Sequence, residues 1–174
     1  DAGLLMGVEG GRATDFIIKL AKNVRRGLAG RVAKGWRPCA APIGYKNVGD
    51  EGNKEIIPDP ERFDLVRKMW DLLLTGEYSM AQIKEIATEK WGLRTVIRKN
   101  SGGAPMVMSH LYKMFKDPFY YGSFEWKNIE TGQHELYPGK HKPMITKAEF
   151  DRAQAIMNRG TKTKAQTREF AFTG

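Results

Sequence analysis

The chain has 174 residues, 41% of them hydrophobic and 10% aromatic, enough apolar side chain for a globular core and too much for a disordered tail. It holds no run of 18 or more apolar residues, which excludes a membrane-spanning helix. Its one cysteine, Cys39, excludes an internal disulfide and a Cys-rich zinc site.

The 29 Lys+Arg against 20 Asp+Glu give a net charge of +9, which points toward a polyanionic partner. The charge is also segregated. From Phe16 to Lys46 there are eight basic residues and no acid; from Arg94 to Lys116 there are five and again no acid. Between them, Asn47 to Leu93 holds ten acids and six bases. A solvated helix face mixes the signs, so two basic blocks flanking an acidic body favour phosphate binding by both blocks. The first residues lack the basic-then-apolar layout of a signal peptide, so the expected compartment is the cytoplasm.

The opening fifteen residues are glycine-rich. Leu4, Leu5 and Val8 could begin a helix, but Gly7, Gly10 and Gly11 each cost it roughly 1 kcal/mol. From Asp15 the pattern strengthens. Phe16, Ile17, Leu20, Val24, Leu28 and Val32 recur at helical spacing as a narrow apolar stripe. Lys19, Lys22, Arg25 and Arg26 lie off that stripe, and Arg31 and Lys34 surround its end. Residues 1–35 are therefore expected to hold a long helix that meets protein first and DNA later. Packing of an amphipathic helix on its own domain is the alternative.

Residues 36–48 follow with two prolines, Pro38 and Pro42, that forbid a helix and favour extended backbone. Small residues, the bases Arg37 and Lys46, and the aromatics Trp36 and Tyr45 describe an arm able to lie in a minor groove. A plain linker is the competing reading, but linkers are usually polar, and Trp36, Ile43 and Tyr45 need a surface to pack on.

Residues 49–160 read as a punctuated domain. Asp59 is an N-cap candidate, Pro60 suits the first helical position and Gly76 closes the element; Phe63, Val66, Met69, Trp70 and Leu73 form its inward stripe. Ser79 with Gln82 reads as a capping box opening a second helix to Lys90, with Ile83, Ile86 and Ala87 inward. A polar connection, Arg94 to Gly103, leads to a third helix over 106–116, stopped by Asp117-Pro118. Phe119 to Trp126 reads as a strand, Thr131-Gly132 as a turn, and His134 to Tyr137 as the returning strand. Thr146 with Glu149 is a further capping box before a last helix that ends at Gly160, with Phe150, Ala153 and Met157 inward. Residues 161–174 look like a linker.

The second and third helices have the layout of a helix-turn-helix with an enlarged, winged-type connection. Leu111, Met114 and Phe115 face the core, which leaves Ser109, His110, Lys113 and Lys116 outward, a short polar and basic face suited to a major groove. Arg94, Arg98, Lys99 and Asn100 are candidate backbone clamps, with solvated loop charge as the competing view, and Lys140-His141-Lys142 is a further small cluster. No catalytic constellation is present. His110, His134 and His141 have no metal-ligand spacing, no glycine-rich loop links a strand to a helix in a phosphate cradle, and Ser79 and Ser109 lack a partner base. Cys39 lies beside Arg37, which would lower its pKa, but a lone thiol in such a segment is more simply incidental. No metal or other cofactor is expected.

With Ala41-Pro42-Ile43-Gly44-Tyr45 as a plain marker, the sequence resembles the large serine recombinases, the integrase and transposon enzymes, over most of its length. The markers fall in family order: Lys34-Gly35-Trp36, Ala41 to Tyr45, Ile57-Pro58-Asp59-Pro60-Glu61 and Thr75-Gly76-Glu77-Tyr78-Ser79. After them come Gly92-Leu93-Arg94-Thr95, Asp117-Pro118-Phe119-Tyr120-Tyr121-Gly122, Gly139-Lys140-His141 and Phe170 to Gly174. The resemblance implies an upstream domain that cuts DNA through a serine, four subunits exchanging strands by rotation, a long helix taking part in subunit contacts, and a zinc ribbon further on. It carries no catalytic residue onto this chain.

The expected fold is α+β and mainly α: a long projecting helix, an extended arm, and a winged-helix-like domain with one β-hairpin. The expected function is recognition of a double-stranded attachment-type half-site, with self-association through the long helix and no membrane partner. Trp36, Arg37, Tyr45 and Lys46 would follow the minor groove; Ser109, His110 and Lys113 would reach base edges; Arg25, Arg26, Arg31, Lys34, Arg94, Arg98 and Lys99 would hold phosphates. The rivals are a helix-turn-helix transcription regulator that binds DNA without rearranging it, and a basic module that docks on protein or RNA.

Overall fold

The computed structural model describes residues 2–50, 53–97, 102–128 and 131–159, with the side chains of the first helix from Thr14 on. That helix, α1 (Ala2–Ala33), is 32 residues long and about 48 Å from end to end at 1.5 Å per residue. The glycines near its start do not interrupt it, so cooperative propagation outweighs their individual cost. Its end is a Schellman arrangement. Gly35 (φ +78°) donates its N–H to the Val32 carbonyl at 2.9 Å, and the Trp36 N–H reaches the Arg31 carbonyl at 3.0 Å.

Apart from its last turns, the apolar stripe of α1 is not packed on the other described residues. Phe16 (67% exposed), Ile17, Leu20 and Val24 all face solvent, and only Val32 is buried. The helix thus touches the remaining fold at its last turns and projects from it, as the sequence pattern indicated.

Beyond the arm lies a hairpin that the sequence did not announce. Strand β1 (Tyr45–Val48) pairs antiparallel with β2 (Glu55–Pro58), Tyr45 opposite Pro58 and Val48 opposite Glu55. Only Tyr45 and Ile56 of the eight residues are buried, so the alternation that betrays a strand is too faint to read. The extended arm therefore ends before Tyr45, and its last four expected residues belong to this sheet.

Helix α2 (Phe63–Thr75) buries Val66, Met69, Trp70 and Leu73. It starts later than Asp59 because residues 59–62 form a turn, with the Asp59 carbonyl accepting from Arg62 and Phe63 N–H at 3.1 and 2.8 Å. Gly76 ends it in the left-handed region. Helix α3 (Met80–Glu85) opens on the expected capping box: the Gln82 N–H donates to Ser79 Oγ at 3.3 Å and the Ser79 N–H to Gln82 Oε1 at 2.8 Å. It continues as one π-helical turn, Ile86–Lys90. Helix α4 (Met108–Lys116) buries Leu111, Met114 and Phe115 and packs on α3, which makes the helix-turn-helix frame.

The segment expected as one strand from Phe119 divides in two. Asp117 Oδ1 accepts from the Phe119 N–H at 3.0 Å, Pro118 pre-sets its own φ, and Pro118–Tyr121 turns as a 3₁₀ helix closed by Gly122. Strand β3 (Ser123–Lys127) then pairs with β4 (His134–Pro138) antiparallel, Ser123 opposite Pro138. Helix α5 (Lys147–Arg159) follows the Thr146–Glu149 capping box and packs across α2 and α4. The core is aromatic: Trp70 meets Phe115 edge-on at 4.8 Å and Tyr120 at 5.6 Å, while Tyr45 meets Phe119 at 5.1 Å.

Gly44 joins arm to sheet at φ +90°, and a Cβ there would lie 3.0 Å from the Met144 methyl and 3.4 Å from Val66. Its carbonyl accepts from the Asp59 N–H at 2.9 Å, so the turn cannot simply rotate away. Gly44→Ala is expected to lower unfolding free energy by on the order of 1–3 kcal/mol, read from the midpoint of a urea titration at unchanged slope.

Candidate nucleic-acid interface

The outward face of α4 carries Ser109, His110, Lys113 and Lys116, all exposed. The amphipathic spacing that buries Leu111, Met114 and Phe115 forces these positions outward. Neither Lys113 nor Lys116 makes an ion pair among the described residues, so both cations are free to meet an anion. Tyr112 is also exposed on this helix, a position the sequence reading passed over.

Beside α4 runs a groove of about 500 Å³, floored by Met106, Met114 and Tyr120 and edged by Ile43, His110 and Lys113. One wall is the arm and the other is α4 with the connection that precedes it. That connection is pinched at its base. The Thr95 N–H donates to the Ala104 carbonyl at 2.9 Å, the Gly103 N–H to the Thr95 carbonyl at 3.0 Å, and Arg94 bridges Pro105. Arg98, Lys99 and Asn100 lie outside the described residues.

The arm is stapled rather than loose. The Tyr120 hydroxyl donates to the Ile43 carbonyl at 2.8 Å, and the Lys140 N–H donates to the Gly35 carbonyl at 2.9 Å. Arg37 bonds Asp117 Oδ2 at 2.6 Å, donates to Cys39 Sγ at 3.0 Å and lies over the Phe119 ring at 5.6 Å. Burial disfavours its charge, but Asp117 outweighs that and holds the guanidinium pKa above its usual value. Arg37 is therefore an anchor of the arm with its charge already matched.

Tyr45 is likewise not a surface residue. It is 1% exposed, its hydroxyl donates to the Lys142 carbonyl at 2.8 Å, and burial pushes its pKa well above the ordinary tyrosine value. A ring so enclosed has no face left for DNA, which corrects its assignment to the minor-groove set. Its aromatic character signalled packing as readily as binding. Trp36 is half-buried against the core, while Lys46 is exposed on β1.

His141 departs from the basic cluster read around it. It is buried, stacks on Phe119 with centroids 3.6 Å apart, and sets Nε2 at 2.6 Å from the Phe119 carbonyl. A carbonyl only accepts, so Nε2 carries the proton and donates. Burial lowers the imidazole pKa from 6.5.

The cations of α1 divide by face. Lys22, Arg25 and Arg26 line a second groove of about 900 Å³ between α1 and the β3–β4 hairpin, opposite Trp126, Asn128 and Tyr137; the aromatic hairpin was read as structure alone. Arg31 donates to the Lys54 carbonyl at 2.8 Å and so ties the helix to the β1–β2 hairpin, while Lys34 is exposed. Arg94 is partly committed too, donating to the Thr88 carbonyl at 3.0 Å within the π-helical turn. Among the described residues no group of His, Cys, Asp or Glu is arranged to hold a metal, and no helix is long and apolar enough to cross a membrane.

A family model described as "Recombinase" matches residues 60–160. No curated protein matches the chain. Among solved structures, one described as "Sequence Requirements of the Listeria innocua prophage attP site" aligns at a TM-score of 0.58 and 18% identity, covering 86% of this chain and 57% of its own. Another, described as "Crystal Structure of a LSR-DNA Complex", aligns at 0.57 and 20% identity, covering 86% of this chain and 42% of its own. At such identities the likeness is one of fold, and the chain spans about half the length of the structures it matches.

The depressed His141 pKa has a direct consequence. The folded state favours the neutral ring, so the stability it contributes is present above pH 6.5 and is lost as pH falls below that value. Glu149, held at about 2 by Arg67 and the Thr146 bonds, loses its contribution only below about 4.5. The melting temperature should therefore fall between pH 7.5 and 5.5. His141→Gln should melt lower at pH 7.5 but with a flatter dependence across that range. A wild-type melting temperature flat over those two pH units would remove His141 from this role.

Proposed function

The chain belongs to the Recombinase family, and from that premise we propose that it is the DNA-binding segment of a serine site-specific recombinase, recognising a double-stranded attachment-type half-site. The observation that carries this is the free polar face of α4, on a helix-turn-helix frame, across a groove from an arm that the domain holds in place. Ser109, His110 and Lys113 are assigned to major-groove base edges. The arm from Trp36 to Ile43 is assigned to the adjacent minor groove, with Arg37 and Tyr45 securing it. Arg25, Arg26, Lys34 and Lys46 are assigned to phosphates, together with Arg98 and Lys99 of the connection; Arg31 and Arg94 contribute mainly by fixing backbone. The likeness to structures described as an attP-site study and an LSR–DNA complex supports this reading and disfavours a transcription regulator.

In the whole protein, an upstream domain joined through α1 would cut and rejoin the DNA through a serine, and residues 161–174 would lead to a further DNA-binding unit. The solvent-facing stripe Phe16, Ile17, Leu20 and Val24 supports self-association through α1, because an apolar stripe of that size gains by being covered. The domain described here supplies positioning and sequence choice, and its expected setting is the cytoplasm.

Selection of random duplexes by the chain, repeated across a range of salt, is the test of the reading. An enriched motif of half-site length is the expected outcome, and salt-sensitive binding without any motif would leave a non-specific basic module. On the selected site, Lys113→Ala is expected to relax preference at one position by about 1–3 kcal/mol. Equal losses on selected and random DNA would make Lys113 a phosphate contact instead. Arg25→Ala is expected to weaken binding uniformly and to make the salt dependence shallower by roughly one unit; an unaltered slope would take Arg25 out of the interface.

A further inference from the structure

We propose that Val107 reads the 5-methyl group of a thymine in the half-site, an inference that rests on the DNA-binding reading above and adds a specificity residue to it. Val107 immediately precedes α4, in extended backbone with φ −91° and ψ 157°, and its side chain is 51% exposed. The position favours Ser, Thr, Asp or Asn, whose side chains accept from the first turn of the helix. Valine accepts nothing, and α4 has no side-chain cap. Its carbonyl takes the His110 and Leu111 N–H groups at 3.0 and 3.2 Å, so the backbone holds the side chain in one place, and branching at Cβ restricts its rotamers further.

Val107, His110 and Lys113 recur at three-residue spacing and line the same groove. Along that edge the two polar side chains suit hydrogen-bond acceptors, whereas an alkyl group at its start suits neither a phosphate nor a polar base edge. The major groove displays one apolar feature, the thymine methyl. The N-terminal residues of a recognition helix are the ones that approach base edges in helix-turn-helix docking. The exposed Pro105 near Val107 extends the apolar surface, so a methyl placed there would leave water on more than one side.

The experiment uses the full chain on its selected duplex, with each thymine replaced in turn by deoxyuridine, which deletes only the methyl. Dissociation constants are compared for wild type, Val107→Ala and Val107→Ser. The serine supplies the missing cap acceptor, so its thermal midpoint is expected to stay level or rise, which keeps the comparison free of folding defects. At one thymine, wild type should lose about fourfold in affinity, and both variants should lose nothing further there. A uracil scan that is flat for wild type overturns the contact, and so does a loss of equal size in the variants; an isolated exposed valine is then an ordinary surface residue. A selection that yields no motif overturns the half-site reading and this contact together, whereas a motif indifferent to its methyl groups overturns the contact alone.

Discussion

Asp117 is the residue on which the joint between the arm and α4 depends. It ends α4, caps the 3₁₀ turn by accepting the Phe119 N–H, and takes the Arg37 guanidinium at 2.6 Å. One residue thus stands where α4 stops, and its carboxylate fixes how the chain leaves that helix and where the arm lies. The aromatic stack above it completes the joint: Phe119 is sandwiched between the edge of Tyr45 and the flat face of His141. A part-buried charge-assisted pair of this kind is costly to break from one side, because the remaining charge stays desolvated. The separation between arm and α4 is therefore a rigid property of the domain.

The sequence made the helical part of this fold legible because helices advertise themselves locally. Ser79 with Gln82, Thr146 with Glu149 and Gly76 are capping signals that act within a few residues, and all three formed as the pattern implied. The buried stripes of α2 and α4 followed from 3.6-residue periodicity in the same way. What stayed hidden depends on contacts distant in the chain. Tyr45 and Lys142 are 97 residues apart, and Arg37 and Asp117 are 80 apart. No local pattern distinguishes an arginine that grips a phosphate from one that grips an aspartate. The β1–β2 hairpin escaped for a related reason: with one inward residue per strand it carries almost no alternation, and it is held by Tyr45 and Ile56 joining a core built elsewhere.

The same distinction reorganises the basic residues. Net charge and its segregation mark two basic blocks, and within each block the structure separates committed cations from free ones. Arg31, Arg37 and Arg94 spend their hydrogen bonds on Lys54, Asp117 and Thr88. Lys22, Arg25, Arg26, Lys46 and Lys113 have no such partner among the described residues. The three committed residues are all arginines, whose planar fork of donors can satisfy a carbonyl or carboxylate at fixed geometry. The free cations, Lys116 among them, are mostly lysines, compact charges that suit a phosphate approached from many directions. A basic composition is therefore partly a framework of internal struts, and only the remainder is available as an electrostatic footprint.

These struts also set the direction of α1. Its last turns are tied at three points: Val32 enters the core, Arg31 reaches Lys54, and Gly35 accepts from Lys140. The ties come from both hairpin regions, so a tilt of the helix would have to break contacts on either side of it. The length of α1 magnifies any such tilt, since 10° at the base moves the far end of a 48 Å helix by about 8 Å. The far end of a projecting helix holds a defined position relative to its domain only if that base is stiff. The Schellman turn at Gly35, the stapled arm and the Asp117 joint together supply the stiffness. The position of α4 and the direction of α1 are thereby fixed by one frame.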